Sequence, residues 1–195
     1  AGRAVLAFLC FGLCASGVYV LNDLLDLDAD RVHPRKRRRP FASGALSLHS
    51  GLVAAPLLIA TAFVVAAPLS WSFGLVLGAY FVLTMGYSLF LKRVPMLDTV
   101  VLASLYTIRI IAGAAAIGIG LSFWLLAFSM FLFFSLALVK RYTELHSLLR
   151  DGKSRIARGY AVEDLGLVQS LGAASGYLSV LVLALYINST ASEAP

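Results

Sequence analysis

Charge is scarce in this 195-residue chain: 13% of its residues are Asp, Glu, Lys or Arg, and 60% are hydrophobic. Soluble domains carry about a quarter charged residues, so this composition excludes an ordinary soluble domain and points to the membrane. Cysteine is nearly absent. Cys10 and Cys14 lie four apart in one apolar run with no second pair and no nearby His. That excludes a disulfide framework or a Cys/His metal site, and the two are read as small packing residues. The three histidines, His33, His49 and His146, are scattered. There is no Ser/His/Asp arrangement, no glycine-rich nucleotide motif, no repeat of fixed period and no low-complexity segment. A formal net charge of +6 would suggest nucleic acid in a soluble protein, but the basic residues cluster between apolar runs. No basic domain is left to bind nucleic acid, and the charge points to topology and phosphate-bearing ligands. Residue 1 is not Met and no signal peptide precedes the first apolar run. The sequence is therefore expected to be a segment of a longer chain, opening inside a domain and closing on a polar tail over 188–195.

What the chain does have is long apolar runs. A membrane span needs about 20 such residues, and six segments qualify: 4–25, 49–69, 71–91, 97–118, 121–141 and 166–187. Ser47 is placed to cap the second, and Trp71 to anchor the third at an interface. Residues 142–165 form the longest polar stretch and are expected to be partly helical. Lys and Arg gather after spans one, three and five, at 31–39, 92–93 and 140–158, and are absent between spans two and three and between four and five. The positive-inside rule then puts these three connections, after spans one, three and five, on the cytoplasmic side.

Four of the ten acids stand at the end of the first span, in Asn22-Asp23-Leu24-Leu25-Asp26-Leu27-Asp28-Ala29-Asp30, and the basic run Arg35-Lys36-Arg37-Arg38-Arg39 follows. At about 100° per residue, Asn22, Asp23, Asp26 and Asp30 share one helix face, and Asp28 points away. Three like charges on one face of an apolar helix call for a neutralising cation. Oxygen ligands in this number suit Mg²⁺ bound through carboxylates and substrate phosphates. The plainer explanation is a solvated helix end whose acids balance the basic run.

Two charges fall elsewhere in the spans. Asp98 opens the fourth, and Arg109, eleven residues on, returns to the same angular face. An Arg inside a span marks a functional site or a structural partner for an Asp. Lys140 and Arg141 end the fifth span. They are read either as phosphate ligands or as ordinary basic residues at a helix end, with a Lys140–Glu144 pair at i,i+4. Collected at one rim, an Mg²⁺-binding Asp cluster with Lys92, Arg109 and Lys140 nearby suits a reaction that expels diphosphate next to a lipid substrate. A transporter is the alternative class, but acids at one rim rather than the midplane disfavour it.

The pattern Asn22-Asp23-x-x-Asp26-x-x-x-Asp30, followed by His33-Pro34 and by Arg39-Pro40, resembles the first aspartate motif of the UbiA superfamily of intramembrane prenyltransferases. The resemblance covers essentially the whole chain. It implies an all-α transmembrane bundle, a single domain over 1–195 with six of nine expected spans, incomplete at both ends. Tyr87-x-x-x-x-Lys92, Tyr106-Thr107-Ile108-Arg109 and Lys140-Arg141-Tyr142-x-Glu144 are similar to the decaprenyl-phosphate phosphoribosyltransferase branch, which makes a cell-wall precursor. That branch implies phosphoribosyl pyrophosphate as donor and a polyprenyl phosphate as acceptor. Aromatic prenyltransferases of the superfamily carry a second Asp-x-x-x-Asp motif, whereas here Asp98 is followed by Leu102. The aromatic branch, with an allylic diphosphate donor, is thus the alternative. The expected roles are as follows. Asn22, Asp23, Asp26 and Asp30 hold Mg²⁺, and Asp98 orients a ribose hydroxyl or a basic neighbour. Arg35, Lys36, Arg38, Tyr87, Lys92, Arg109, Lys140, Arg141 and Glu144 bind substrate.

Overall fold

A computed structural model describes residues 2–150 and 159–192, and its regular elements are all helices. They are α1 (Gly2–Leu25), α2 (Leu27–Val32), α3 (Leu48–Ala66), α4 (Trp71–Leu89), α5 (Leu97–Ile117), α6 (Phe123–Arg150) and α7 (Leu165–Ser192), with short 3₁₀ turns at Lys36–Arg38, Leu91–Arg93 and Val162–Asp164. Six of these, all but α2, are long and apolar enough to cross a membrane. They are the six segments expected from hydropathy. Ser47 caps α3 as expected, its Oγ accepting from the Ser50 amide at 3.2 Å.

The helix of the fifth span carries on into the polar stretch that was expected to be partly helical. α6 runs nine residues past the predicted end at 141, to Arg150. At 1.5 Å per residue its 28 residues extend about 42 Å, longer than a hydrocarbon core of about 30 Å. The added turns are held by packing: Leu145 is buried, and Leu148 lies against the cluster of Leu138, Leu145, Tyr160 and Val168. Of the polar stretch expected over 142–165, residues 151–158 lie outside the described residues, as do 193–195 of the expected tail.

The chain divides into two compact units, Ala1–Met85 with Ala112–Gly118, and Gly86–Ile111 with Ile119–Pro195. In the first, α1 packs on α3 through small residues, which substitute for the hydrophobic effect inside a bilayer by letting backbones approach. Ala7, Cys10, Cys14 and Gly17 are the small buried residues of α1, and Gly51, Ala55, Ala62 and Ala66 those of α3. Both thiols are free and fully buried, as packing residues should be. A Cβ on Gly17 would come within 2.7 Å of the Ile59 side chain and 2.9 Å of the Ala55 carbonyl. Phe11 packs its ring on Phe73 and Tyr80, and Ser70 donates from Oγ to the Ala115 carbonyl at 2.7 Å.

In the second unit α6 packs on α7. Ser135 Oγ donates to the Gly172 carbonyl at 2.8 Å, and a Cβ on Gly176 would stand 3.2 Å from that hydroxyl. Trp71, at the start of α4 in the first unit, is 82% exposed.

Overpacking a closed seam costs about 1–3 kcal/mol. Gly17→Val should therefore lower the thermal midpoint of the detergent-purified protein, while Gly12→Ala, whose Cβ meets nothing within 4 Å, should not lower it. Equal midpoints for the two variants would contradict the seam.

Candidate functional site

The acidic stretch is not one straight helix. α1 ends at Leu25, and Asp26 sits at φ −92°, ψ 9°, in the bridge region between helix and turn. The helical hydrogen bonding still carries across it, with Asp26 N to Asn22 O at 2.9 Å and Asp30 N to Asp26 O at 2.8 Å. The one-face spacing read from the sequence therefore survives the break. Asn22 Nδ2 donates to Asp26 Oδ2 at 3.2 Å. Asp23 and Asp30 converge on one atom: Arg39 Nη1 donates to Asp23 Oδ1 at 2.7 Å and to Asp30 Oδ2 at 2.8 Å. Lys36 Nζ lies 3.7 Å from the second Asp30 oxygen. Asp30 is 2% exposed, Asp23 28% and Arg39 37%. Asp28 points to solvent, 3.9 Å from Arg31, as expected.

The basic run is sorted by its backbone. Arg35, Arg37 and Arg38 are exposed, whereas Arg39 turns back to the acids. Pro40 restricts the residue before it to extended backbone, and Arg39 adopts φ −62°, ψ 147°. His33 has a use the sequence did not show. Its Nδ1 accepts from the amides of Arg35 and Lys36 at 3.2 and 3.3 Å, shaping the 3₁₀ turn that presents Lys36.

Among the described residues no three His, Cys, Asp or Glu side chains are grouped to hold a metal on their own. Two carboxylates nonetheless already converge on a single cationic point, with Asp26 one helical turn from each. That donor set fits Mg²⁺, which takes one or two carboxylates and completes its shell with water and substrate phosphate.

The second unit has its own charged cluster. Asp98, in the first turn of α5, is fully buried. Its Oδ2 accepts from Arg141 Nη2, and its Oδ1 accepts from the Tyr160 hydroxyl at 2.6 Å. Arg141 is 1% exposed and gives Nη1 to Glu144; its Nε has no hydrogen-bond partner among the described residues. Tyr160 also accepts from the Met96 amide at 2.7 Å and lies with its ring centroid 5.1 Å from the Arg141 guanidinium. That contact holds Met96 at φ +65°, a strained value for a residue with a side chain. Gly159 supplies φ +82° beside it, and a Cβ there would stand 3.0 Å from the Arg93 carbonyl. Desolvation, and then the hydrogen bond to Asp98, push the Tyr160 hydroxyl from 10.0 up to about 12.

The other expected site residues have surroundings of their own. Arg109 is exposed, its guanidinium 5.1 Å above the Tyr106 ring, which in turn stacks on Phe133. It shares an angular position with Asp98 but lies about 16 Å farther along the helix, so the common face brings no common environment. Glu144 pairs with Arg141 at i,i+3 instead of with Lys140 at i,i+4, and Lys140 is exposed. Tyr87 and Lys92 are half-buried. Sequence reasoning missed Tyr160 entirely; its signal was weak, one aromatic after a glycine in a polar loop.

Comparison with known proteins gives a consistent picture. Residues 2–192 match the model of the UbiA prenyltransferase family. The nodulation protein NoeC of Azorhizobium caulinodans is 41% identical over 192 residues, covering 97% of this chain and 62% of that protein. The decaprenyl-phosphate phosphoribosyltransferase of Mycobacterium tuberculosis is 37% identical over 150 residues, covering 77% of this chain and 50% of that protein. The chain thus spans about half to two thirds of the length of these two curated relatives. Among solved structures, a UbiA homologue from Archaeoglobus fulgidus bound to GPP and Mg²⁺ superposes with a TM-score of 0.76 at 20% identity, over 94% of this chain and 66% of that one.

The Tyr160 hydroxyl is protonated more tightly in the folded chain than in the unfolded one. Its contribution to stability is therefore complete below pH 10.0 and lost as pH rises toward 12. The wild-type melting temperature should fall across that window more steeply than that of Tyr160→Phe. At neutral pH the variant, leaving the Met96 amide and one Asp98 oxygen short of a partner, should be less stable by about 1–3 kcal/mol. Thermal melts of both proteins at pH 7 through 12 check both statements.

Proposed function

We propose a function from one premise: this chain belongs to the UbiA prenyltransferase family, whose model it matches over residues 2–192. It is an integral membrane protein with six membrane-length helices among its described residues. Our reading is that it transfers phosphoribose from phosphoribosyl pyrophosphate to a polyprenyl phosphate, releasing pyrophosphate, in a Mg²⁺-dependent reaction. The observation that carries it is the convergence of Asp23 and Asp30 on one cationic point beside Asp26. Such a pair is suited to a divalent ion that arrives with a diphosphate.

In this reading Asp23, Asp26 and Asp30, with Asn22 steadying Asp26, would hold Mg²⁺, which would supply charge neutralisation for a departing pyrophosphate. Lys36 and Arg39 stand beside the acids to contact diphosphate oxygens, and the exposed Arg35 and Arg38 add positive potential at the mouth. An oxygen of the lipid phosphate attacks the anomeric carbon, and the carbon–oxygen bond to pyrophosphate breaks with its electron pair leaving on pyrophosphate. Lys92, Arg109 and Lys140 are the proposed contacts to donor or acceptor phosphates. Asp98 and Arg141 form a buried ion pair, extended by the part-exposed Glu144, and the proposal gives the three positioning rather than direct phosphate contact, because both Nη atoms of Arg141 are engaged. In this reading the acidic stretch faces the cytoplasm from a bacterial inner membrane, a placement supported by the positive-inside distribution and by the bacterial relatives.

Two features support the phosphoribosyl donor over an allylic one. The mycobacterial relative bears that name at 37% identity, and Asp98, already bound to Arg141 and Tyr160, is followed by Leu102 instead of a second carboxylate. The aromatic prenyltransferase reading stays as the second, favoured by the fold shared with a homologue solved with GPP and Mg²⁺.

Membranes containing the full-length protein, given Mg²⁺, labelled phosphoribosyl pyrophosphate and polyprenyl phosphate, should yield a labelled phosphoribosyl lipid. An allylic diphosphate with 4-hydroxybenzoate should yield no product. Asp26→Ala should cut turnover at least about 100-fold while the protein remains in the membrane. Prenylated aromatic product would select the second reading, and near-normal turnover by Asp26→Ala would remove the metal role.

A further inference from the structure

The two acidic clusters are neutralised by arginines in opposite circumstances. Arg141 is 1% exposed, lies between two carboxylates and is covered by the Tyr160 ring. Removing it would strand a buried Asp98, so it is a permanent counter-ion. Arg39 is 37% exposed, while the Asp30 it neutralises is 2% exposed. Arg39 can leave toward water, and Asp30 cannot follow.

We propose that Arg39 is a tethered counter-ion that occupies the cation position between Asp23 and Asp30 in the unliganded chain, yields it to a divalent cation arriving with a diphosphate, and then pairs with that diphosphate. The inference deepens the proposed function and rests on its reading of the acids as a metal–diphosphate site. Three observations carry it. Both bonds come from a single nitrogen, so one positive atom already stands where the two carboxylates converge. The backbone beneath it is anchored: Phe41 is buried, and a Cβ on Gly51 of α3 would meet its ring at 2.8 Å and Leu24 at 3.1 Å. Exchange therefore needs only rotation of the Arg39 side chain about a fixed extended backbone. Finally, Lys36 at 3.7 Å keeps a cation near Asp30 while Arg39 turns away.

The consequence is coupling between ligands. A bare divalent ion must displace a guanidinium that gains nothing in exchange except water. A metal–diphosphate offers that guanidinium a phosphate, which it binds through planar paired donors. Metal and diphosphate should then bind with positive cooperativity, and Arg39 should be its source.

The test is Mn²⁺ titration of the full-length protein in detergent, followed by electron paramagnetic resonance, with and without inorganic pyrophosphate. Without pyrophosphate, Arg39→Gln should bind Mn²⁺ about tenfold more tightly than wild type, because a competing charge is gone. Pyrophosphate should tighten Mn²⁺ binding to wild type but much less to Arg39→Gln. Arg39→Lys should stay within about twofold of wild type for bare Mn²⁺, since one ammonium nitrogen can make both contacts. A folded Arg39→Gln that binds bare Mn²⁺ no better than wild type overturns the exchange, as does an Arg39→Lys that binds it tenfold tighter. If Asp23→Asn leaves Mn²⁺ binding intact, the metal reading of the acids fails, and the exchange fails with it.

Discussion

A carboxylate at the end of an apolar helix has to be matched by a cation, and much of this structure follows from how that demand is met. Asp30 and Asp98 are both almost completely excluded from solvent. An unpaired charge out of water is among the costliest features a fold can carry, so each needs a partner of opposite charge. Each is answered by an arginine from a different part of the chain, Arg39 in one unit and Arg141 in the other. The segments that deliver those arginines are thereby tied to the helix ends that carry the acids.

The loops take their shape from this requirement. Between α2 and α3 the chain must send exposed arginines outward and one arginine inward. It does so with a His33-shaped turn, a proline after Arg39, and the burial of Phe41 over a glycine of α3. Near α5 the chain places Met96 in left-handed backbone and Gly159 in the same region of φ, so that the Tyr160 hydroxyl reaches both the Met96 amide and Asp98. Local strain of this kind persists only where surrounding contacts over-determine it. The hydrogen bond to a buried carboxylate supplies that determination.

The difference between the two arginines also separates scaffold from site. A guanidinium held by two carboxylates and an aromatic ring, with no route to water, fixes α5, α6 and the segment around Tyr160 within one unit. A guanidinium at a solvent-facing edge leaves its acids available to another cation. The same residue type thus serves permanence in one place and exchange in the other, and burial alone makes the distinction.

Sequence by itself determined the six spans, the absence of a soluble core, the one-face register of Asn22, Asp23, Asp26 and Asp30, and the family to which that register pointed. These are matters of composition and helical period, which depend on neighbours within a few turns. That the stretch after the fifth span is partly helical was legible, but how far α6 runs into it was not, because its last turns pack through Leu145 and Leu148 on residues from beyond the following loop. Nor were the partners of the charges. Arg39 reaches across 16 positions to Asp23, Arg141 across 43 to Asp98, and Tyr160 across 62 to the same carboxylate. Periodicity can say that Asp98 and Arg109 share an angle, and the Lys140–Glu144 spacing can suggest a pair. Only tertiary structure decides depth and competition between partners, since a buried carboxylate is satisfied by whichever donor the packing brings within about 3 Å, however far away it lies in sequence.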